Sequence, residues 1–516
     1  MPGDEWYKLG NAANFINVST IEFREYQFNI IKKIFEGRNT IVILPTGLGK
    51  TLIGAFAIAN ALANGKRALF LAPTKPLSEQ HFSTLSSTLK IDPNDILLLT
   101  GSLNRKARAQ AEARAKVIVA TPQTVANDLK SAAFSMQDFG VAVFDECHRA
   151  VGRYAYTYVA NECTTHGVQI VGLTASPGGN KEKISKLLNA LSIEDIEVRT
   201  SADKDVVGYV LPKYVHIVSV EKSALIGRIA ALLEPLIQAS LTSLNKMGLL
   251  YVKRFQNIPK GRLIALGDEI MKIKAQNFRF GAFASYIKLL NLLHAYDLLQ
   301  TEGLYPFVDY LNRLGTREKK SKALISLLSE RNIAIAKSMA ESAMRSGIEH
   351  PKTEALLNQL AAYRGKSTIV FAQYRSTIKM LVDLLLKKGF AARAFVGKRE
   401  GVTQEAQKQT IADFREKKFD VLVASSIGEE GLDIPAVDLV IFYEPIPNEI
   451  RNIQRRGRAG RVRAGDIVVL TTNDTKDMTY LFVSMQRERK MLYIINKLKE
   501  EMEERRIARA SGQMRL

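Results

Sequence analysis

The sequence predicts an α/β protein built as two parallel-sheet lobes with a helical domain inserted between them, and three features carry that prediction. Short, uninterrupted Val/Ile/Leu-rich runs at 41–44, 68–72, 96–99, 117–120, 141–144 and 169–173 alternate with helical patterns. That is the texture of strands buried on both faces. It returns at 367–371, 391–396, 421–424, 439–443 and 467–470. Between the two series, 221–350 is written in long helical stretches with few strand-like runs. The expected divisions are a first lobe at 1–220, an inserted helical domain at 221–350, a second lobe at 351–480 and a C-terminal helical tail at 481–516.

Composition narrows the class. A chain of 516 residues is too long for one core, and 46% apolar residues is enough to fold several. A formal charge of +21 makes polyanions the natural partners, nucleic acid first. Cys147 and Cys163 are the only cysteines. Two cannot build a disulfide framework or a zinc site of known spacing, which fits a reducing compartment. Residues 1–10 lack the apolar core of a signal peptide, and no apolar run approaches the length of a membrane span. The expectation is an intracellular protein with no membrane partner, in the cytoplasm or nucleoid of an archaeon or the nucleus of a eukaryote.

The first strand-like run leads into Pro45-Thr46-Gly47-Leu48-Gly49-Lys50-Thr51 and then an apolar helical pattern. Strand, glycine loop and helix in that order form a triphosphate cradle: Gly47 and Gly49 let backbone N–H groups close on phosphate at a helix N-terminus. Thr46 and Leu48 lie in the same loop. Lys50 would reach the β and γ phosphates, and the Thr51 hydroxyl would hold Mg²⁺. Leu44 stands where the strict G-x-x-x-x-G-K-T pattern has its first glycine, so the pattern is matched only from Gly49 onward.

The run 141–144 passes directly into Asp145-Glu146-Cys147-His148. Two carboxylates at the end of a buried strand, downstream of Lys50-Thr51, are placed for nucleotide hydrolysis. Asp145 would hold Mg²⁺ through water and Glu146 would orient or deprotonate the attacking water. Cys147 reads as packing rather than as a nucleophile. His148 lacks the partner spacing of a metal ligand.

In the helical domain Lys and Arg exceed Asp and Glu by eight. Lys253, Arg254, Lys260, Arg262, Lys272, Lys274 and Arg279 interleave with Tyr251, Phe255, Phe278, Phe280 and Phe283. Basic and aromatic residues together suit a nucleic-acid face; aromatics in a core beneath solvated charges fit the same pattern. The cluster 317–322 reads as a loop or helix end. The second lobe closes with Gln454-Arg455-Arg456-Gly457-Arg458-Ala459-Gly460-Arg461. Arg458 and Arg461 read as arginine fingers for the γ phosphate, with a basic nucleic-acid loop as the alternative. The charged tail reads as a solvated helix with a frayed end.

This ordered set resembles the superfamily 2 helicases, in the DECH form of the DEAD/DEAH box. Besides PTGLGKT, DECH and QRRGRAGR, the chain carries 71–77 (LAPTKPL), 121–124 (TPQT), 174–176 (TAS), 369–375 (IVFAQYR) and 424–435 (ASSIGEEGLDIP), all in the family's order. The resemblance implies two RecA-like lobes that sandwich ATP and Mg²⁺, with Gln27 reading adenine and so favouring ATP over GTP. His148, Thr174 and Ser176 would couple hydrolysis to lobe movement. Asp433 would lie near the ribose and Gln454 near the γ phosphate. Pro73, Thr74, Lys75 and Thr121 in the first lobe, with Phe371, Gln373 and Ser425 in the second, would line the strand track. Ser425 stands where many relatives have Thr.

Within the superfamily the chain is most similar to the archaeal Hef helicases and the Fanconi anaemia M-type and Mph-type DNA translocases. The length of the insert, FDECHRAVG at 144–152 and EEGLDIP at 429–435 carry that similarity. It implies an ATP-dependent helicase or translocase on forked or branched DNA in fork repair and recombination, with the insert gripping the branch. Many Hef proteins add a nuclease with an ERK signature. No such signature follows here, so cleavage is expected from a separate nuclease, and a sliding clamp is a further expected partner. Two alternatives stay open: an RNA-directed ATPase of the DECH-box duplex-RNA type, and a nucleic-acid clamp without turnover.

Overall fold

A computed structural model describes residues 4–45, 47–100, 112, 114–152, 154–200, 203–209, 215–397, 403–425, 437–445 and 466–510. Seven strands make the first sheet: β1 Thr40–Ile43, β2 Arg67–Leu71, β3 Ile96–Leu99, β4 Val117–Ala120, β5 Phe139–Asp145, β6 Gln169–Thr174 and β7 Asp195–Val198. Their order is β3-β4-β2-β5-β6-β1-β7, and every pairing is parallel. All the strands therefore end at one edge, and the chain leaves each sheet segment there. The second sheet contains β8 Val215–Val220, β9 Thr368–Phe371, β10 Ala392–Phe395, β11 Val421–Ala424, β12 Leu439–Phe442 and β13 Asp466–Thr472. It is also parallel throughout, in the order β10-β11-β9-β12-β13-β8.

β8 corrects the expected boundary at 220. It pairs with β13 from Ile467 to Thr472 and so belongs to the second lobe. β8 is a sheet-edge strand whose Val215 and Ile217 are exposed, so it lacks the doubly buried signature of the inner strands.

Among the described residues of the insert, α-helices span Ala224–Lys246, Lys260–Met271, Gln276–Thr301, Leu304–Gly315, Lys322–Leu328 and Arg331–Arg345. They share a core that includes Ile229, Leu233, Leu266, Leu292, Phe307 and Ala336. The helix Ala224–Lys246 is long and apolar enough to cross a membrane by length and composition, correcting the expectation that no run reaches that size. Its Ile229, Leu233, Ile237 and Leu241 are instead spent on this core. Buried polar groups brace the second lobe and its contact with the insert. Lys352 Nζ donates to Asp477 Oδ2 at 2.8 Å and to the Tyr443 carbonyl at 2.9 Å, and Thr377 donates to Glu302 Oε2 at 3.0 Å.

The tail departs from its expected solvated state. One helix, Lys476–Ala510, starts after β13 and returns to the first lobe. There Met491, Ile494, Ile495 and Leu498 are buried with Ile184, Leu187 and Ile196. Lys499 pairs with Glu197 at 3.1 Å and Glu501 with Lys181 at 3.0 Å. At the other end of the chain, Trp6 is fully buried and stacks on Phe56 of the helix Lys50–Ala63, ring centroids 4.8 Å apart.

Candidate nucleotide and strand-contact site

The glycine loop joins β1 to the helix Lys50–Ala63 at the carboxyl edge of the first sheet, where open α/β sheets bind ligands. Gly47 at φ 91° and Gly49 at φ 76° hold left-handed conformations, which glycine adopts without steric cost. Gly49 is also a close approach, since a Cβ there would lie 2.2 Å from Gln27 Nε2. Lys50 Nζ donates to the Leu44 carbonyl at 2.9 Å and the Pro45 carbonyl at 3.4 Å, so its ammonium is held inside the loop. Leu44, at the missing-glycine position, is fully buried as an extension of β1.

Helix Glu25–Ile34 grips the loop from outside. Tyr26 Oη donates to the Leu48 carbonyl at 2.9 Å, and Gln27 Nε2 donates to the same oxygen at 3.1 Å. Gln27 is buried, and its Oε1 has no hydrogen-bond partner. Such an orphaned acceptor is costly to bury, and it fits the amino group of an adenine. Thr51 and Asp145 offer one hydroxyl and one carboxylate, the oxygen chemistry that Mg²⁺ takes when phosphate and water complete its shell.

The acid pair sits where β5 ends. Asp145 Oδ2 lies 2.8 Å from His81 Nε2, and Tyr156 Oη donates to the Asp145 carbonyl at 2.6 Å. Glu146 has φ 48° and ψ 44°, a left-handed conformation uncommon for a non-glycine residue. Its Oε2 lies 3.2 Å from His148 Nδ1. Burial opposes ionisation of Glu146, but the close approach of His148, helped by Lys50 and Arg149, outweighs it and holds the carboxyl at about 2. Cys147 is buried, and burial pushes its thiol well above the ordinary range, in keeping with a packing role.

Thr174 and Ser176 follow β6, the next strand over, and both are buried. Thr174 Oγ1 lies 3.1 Å from His148 Nδ1 and accepts from the Ser176 amide at 3.1 Å. The structure thus brings Gln27, Gly47, Leu48, Gly49, Lys50, Thr51, Asp145, Glu146, His148, Thr174 and Ser176 to one edge of one sheet. Thr46, Asp433, Gln454, Arg458 and Arg461 lie outside the described residues.

The strand-contact candidates fall at matching places in the two lobes. Thr74 is the N-cap of the helix Lys75–Thr88 and Thr121 of the helix Pro122–Lys130, after the neighbouring strands β2 and β4. Neither hydroxyl caps its own helix: Thr74 Oγ1 is unpartnered, and Thr121 Oγ1 meets only Thr124 Oγ1 at 2.9 Å. Helix N-termini suit phosphate in general, and these two lie side by side, with Thr74 Oγ1 itself buried. Lys75 is exposed beside them, while Pro73 is buried at the turn. In the second lobe Gln373 and Ser425 follow the paired strands β9 and β11. Gln373 is exposed, and Ser425 Oγ is unpartnered. Phe371 is a correction: its ring is fully buried, stacked on Phe442 at 5.6 Å, and cannot face a strand.

The basic and aromatic set of the insert divides. Phe255 and Phe283 belong to the core, whereas Tyr251 and Phe280 are 84% and 58% exposed, with Phe278 and the cations Lys253, Arg254, Lys272 and Lys274 exposed around them. Arg262 is paired with Glu269 at 2.5 Å. His81 and Tyr156 were not legible as site residues. Each is a lone side chain on a helix, and only the strand order brings them to Asp145.

Comparison with known proteins agrees with this geometry. The DEAD/DEAH box helicase family matches residues 24–184, the helicase conserved C-terminal domain matches 351–463, and a helical bundle described for ATP-dependent RNA helicases matches 226–344. A Methanocaldococcus jannaschii protein provisionally named as an ATP-dependent RNA helicase is 34% identical over 93% of this chain and 63% of its own length. The Neurospora crassa ATP-dependent DNA helicase mph1 is 33% identical over 90% of this chain and 42% of its own. The chain thus spans less than two thirds of these curated relatives. The crystal structure of the Pyrococcus furiosus Hef helicase domain superposes with a TM-score of 0.72 at 38% identity, covering 91% of this chain and all of that one. The chain belongs to the superfamily 2 DEAD/DEAH-box helicases, in the group that contains the Hef helicase domain.

Proposed function

We propose that this chain is an ATP-driven translocase or helicase that acts on branched or forked DNA. The observation that carries the reading is the shared edge of the first sheet. Glu146, after β5, stands one strand from Thr74 and two from Thr121, and Lys50, after β1, lies two strands to the other side of Glu146, so the groups suited to γ phosphate and those suited to a polynucleotide backbone ride on one sheet. Lys50 would bind phosphate, Thr51 and Asp145 would hold Mg²⁺, Gln27 would receive the adenine amino group, and Glu146 would orient the attacking water. A bound Mg²⁺ supplies charge neutralisation at the phosphates. Arg458 and Arg461 would bring positive charge from the second lobe, so that turnover requires the lobes to close. Exposed Tyr251, Phe278 and Phe280 amid cations equip the insert to hold unpaired bases at a branch.

The names of the mph1 relative and the Hef domain favour DNA. The Methanocaldococcus jannaschii relative and the helical-bundle description favour the second reading, an RNA-directed ATPase. Steady-state ATP hydrolysis measured with forked, single-stranded and linear duplex DNA, each beside its RNA equivalent, separates them. Strongest stimulation by forked DNA is expected. Stimulation by duplex RNA alone would replace DNA with RNA, and binding without turnover on any substrate would leave a passive clamp. A separate nuclease and a sliding clamp remain proposed partners, to be sought by co-purification.

A further inference from the structure

A line of short polar contacts runs from the acid pair to the C-terminal helix. Glu146 Oε2 is 3.2 Å from His148 Nδ1, and the same nitrogen is 3.1 Å from Thr174 Oγ1. Thr174 Oγ1 is bonded to both the amide and the carbonyl of Ser176, each at 3.1 Å. Ser176 Oγ then donates to Met491 Sδ at 2.9 Å. Thr174, Ser176 and Met491 are all at most 2% exposed, so water does not compete for these contacts.

Met491 stands on the helix Lys476–Ala510, which is fixed at both ends. Asp477 in its first turn holds buried Lys352 at 2.8 Å and accepts from the Thr472 amide at 3.0 Å, tying it to the second lobe. Ile494, Ile495 and Leu498 tie it to the first. A thioether is a weak acceptor, so the bond from Ser176 is cheap to break. When the Glu146 carboxylate turns toward a γ phosphate or its water, it leaves His148 Nδ1, which then faces Thr174 Oγ1 alone. The Ser176 backbone that Thr174 holds must respond. Packed interiors pass such small shifts between discrete arrangements rather than absorbing them.

We propose that Met491 is a positioning residue, through which the C-terminal helix reads the state of Glu146 and reports it to the second lobe. The inference rests on the ATPase reading above and adds to it a residue outside the nucleotide site. The test uses the full chain and three variants: Met491→Leu, which keeps volume but loses the acceptor, Met491→Gln, which restores one, and Ser176→Ala, which removes the donor.

Two readouts are compared with and without a non-hydrolysable ATP analogue or forked DNA: hydrogen exchange across residues 490–498, and the ratio of DNA-stimulated to unstimulated turnover. In the parent the analogue is expected to change exchange in that stretch. Met491→Leu and Ser176→Ala should each abolish the change and lower the ratio about five-fold, the scale of one modest hydrogen bond. Their combination should do no more than either alone, and Met491→Gln should restore both readouts. If Leu behaves like the parent while Gln is impaired, Met491 only packs and the inference falls. If the parent binds the analogue but 490–498 does not respond, the inference falls alone. If the parent binds no nucleotide, the ATPase reading falls and takes the inference with it.

Discussion

Glu146 occupies a left-handed backbone conformation of the kind that costs a non-glycine residue about 1–3 kcal/mol, and the cost is met where the chain turns sharply out of β5 to aim the carboxylate. His148 keeps that carboxylate ionised, at about 2 against an ordinary 4.5. Because the folded value is depressed, its stabilisation is fully present above about pH 4.5 and is lost as the pH falls toward about 2. Glu146→Gln should therefore bind nucleotide, fail to turn it over, and differ from the parent in thermal stability at about pH 5. In melts carried down to about pH 3 that difference should shrink; a gap that widens in acid would contradict the assignment. Residue identities in the loop and acid pair were legible because left-handed glycines and strand-end carboxylates leave spacing in the sequence. The pairing of Asp145 with His81 left none, since it depends on two strands becoming neighbours.

At the scale of elements, the inner strands announced themselves through continuous apolar runs, and all of the runs named from sequence are strands. β7 and β8 were missed because DIEV and VHIVSV mix polar with apolar residues, whereas β3, an edge strand too, reads ILLL. The tail was misread for a related reason. Over 497–506 its charges dominate, and the apolar stripe of Met491, Ile494, Ile495 and Leu498 makes sense only once the first lobe supplies a surface for it. The N-terminal segment behaves similarly, with Trp6 its largest buried side chain beside Leu9, Ala12, Ala13 and Ile16. Trp6→Ala should cost about 3–5 kcal/mol, read as a lowered denaturation midpoint. Because Trp6 stacks on Phe56 of the phosphate-loop helix, nucleotide affinity should weaken with it. A variant with parental stability would show that the segment is dispensable to the fold.

In the whole molecule, buried charge settles which parts move together. Lys352 is completely buried and holds Asp477 and the Tyr443 carbonyl, while Glu302 of the insert is bonded to Thr377 of the second lobe. Burial raises Glu302 above its usual value, with Lys352 opposing that. Lys352→Met strands Asp477 without its cation, and removing one partner of a buried pair typically costs about 3–5 kcal/mol. The loss is expected in equilibrium denaturation, together with faster hydrogen exchange in the first turn of the helix Lys476–Ala510, which holds Asp477; unchanged exchange there would mean that this turn is held without Lys352.

β8 has one more consequence. The polypeptide passes from the first lobe to the second before the insert begins, and the long helix after β13 carries it back. The halves are thus tethered by two independent passages of chain rather than one. A single proteolytic nick between Val198 and Val215 should leave both fragments eluting together on gel filtration until denaturant is added, whereas a molecule hinged on one linker would come apart.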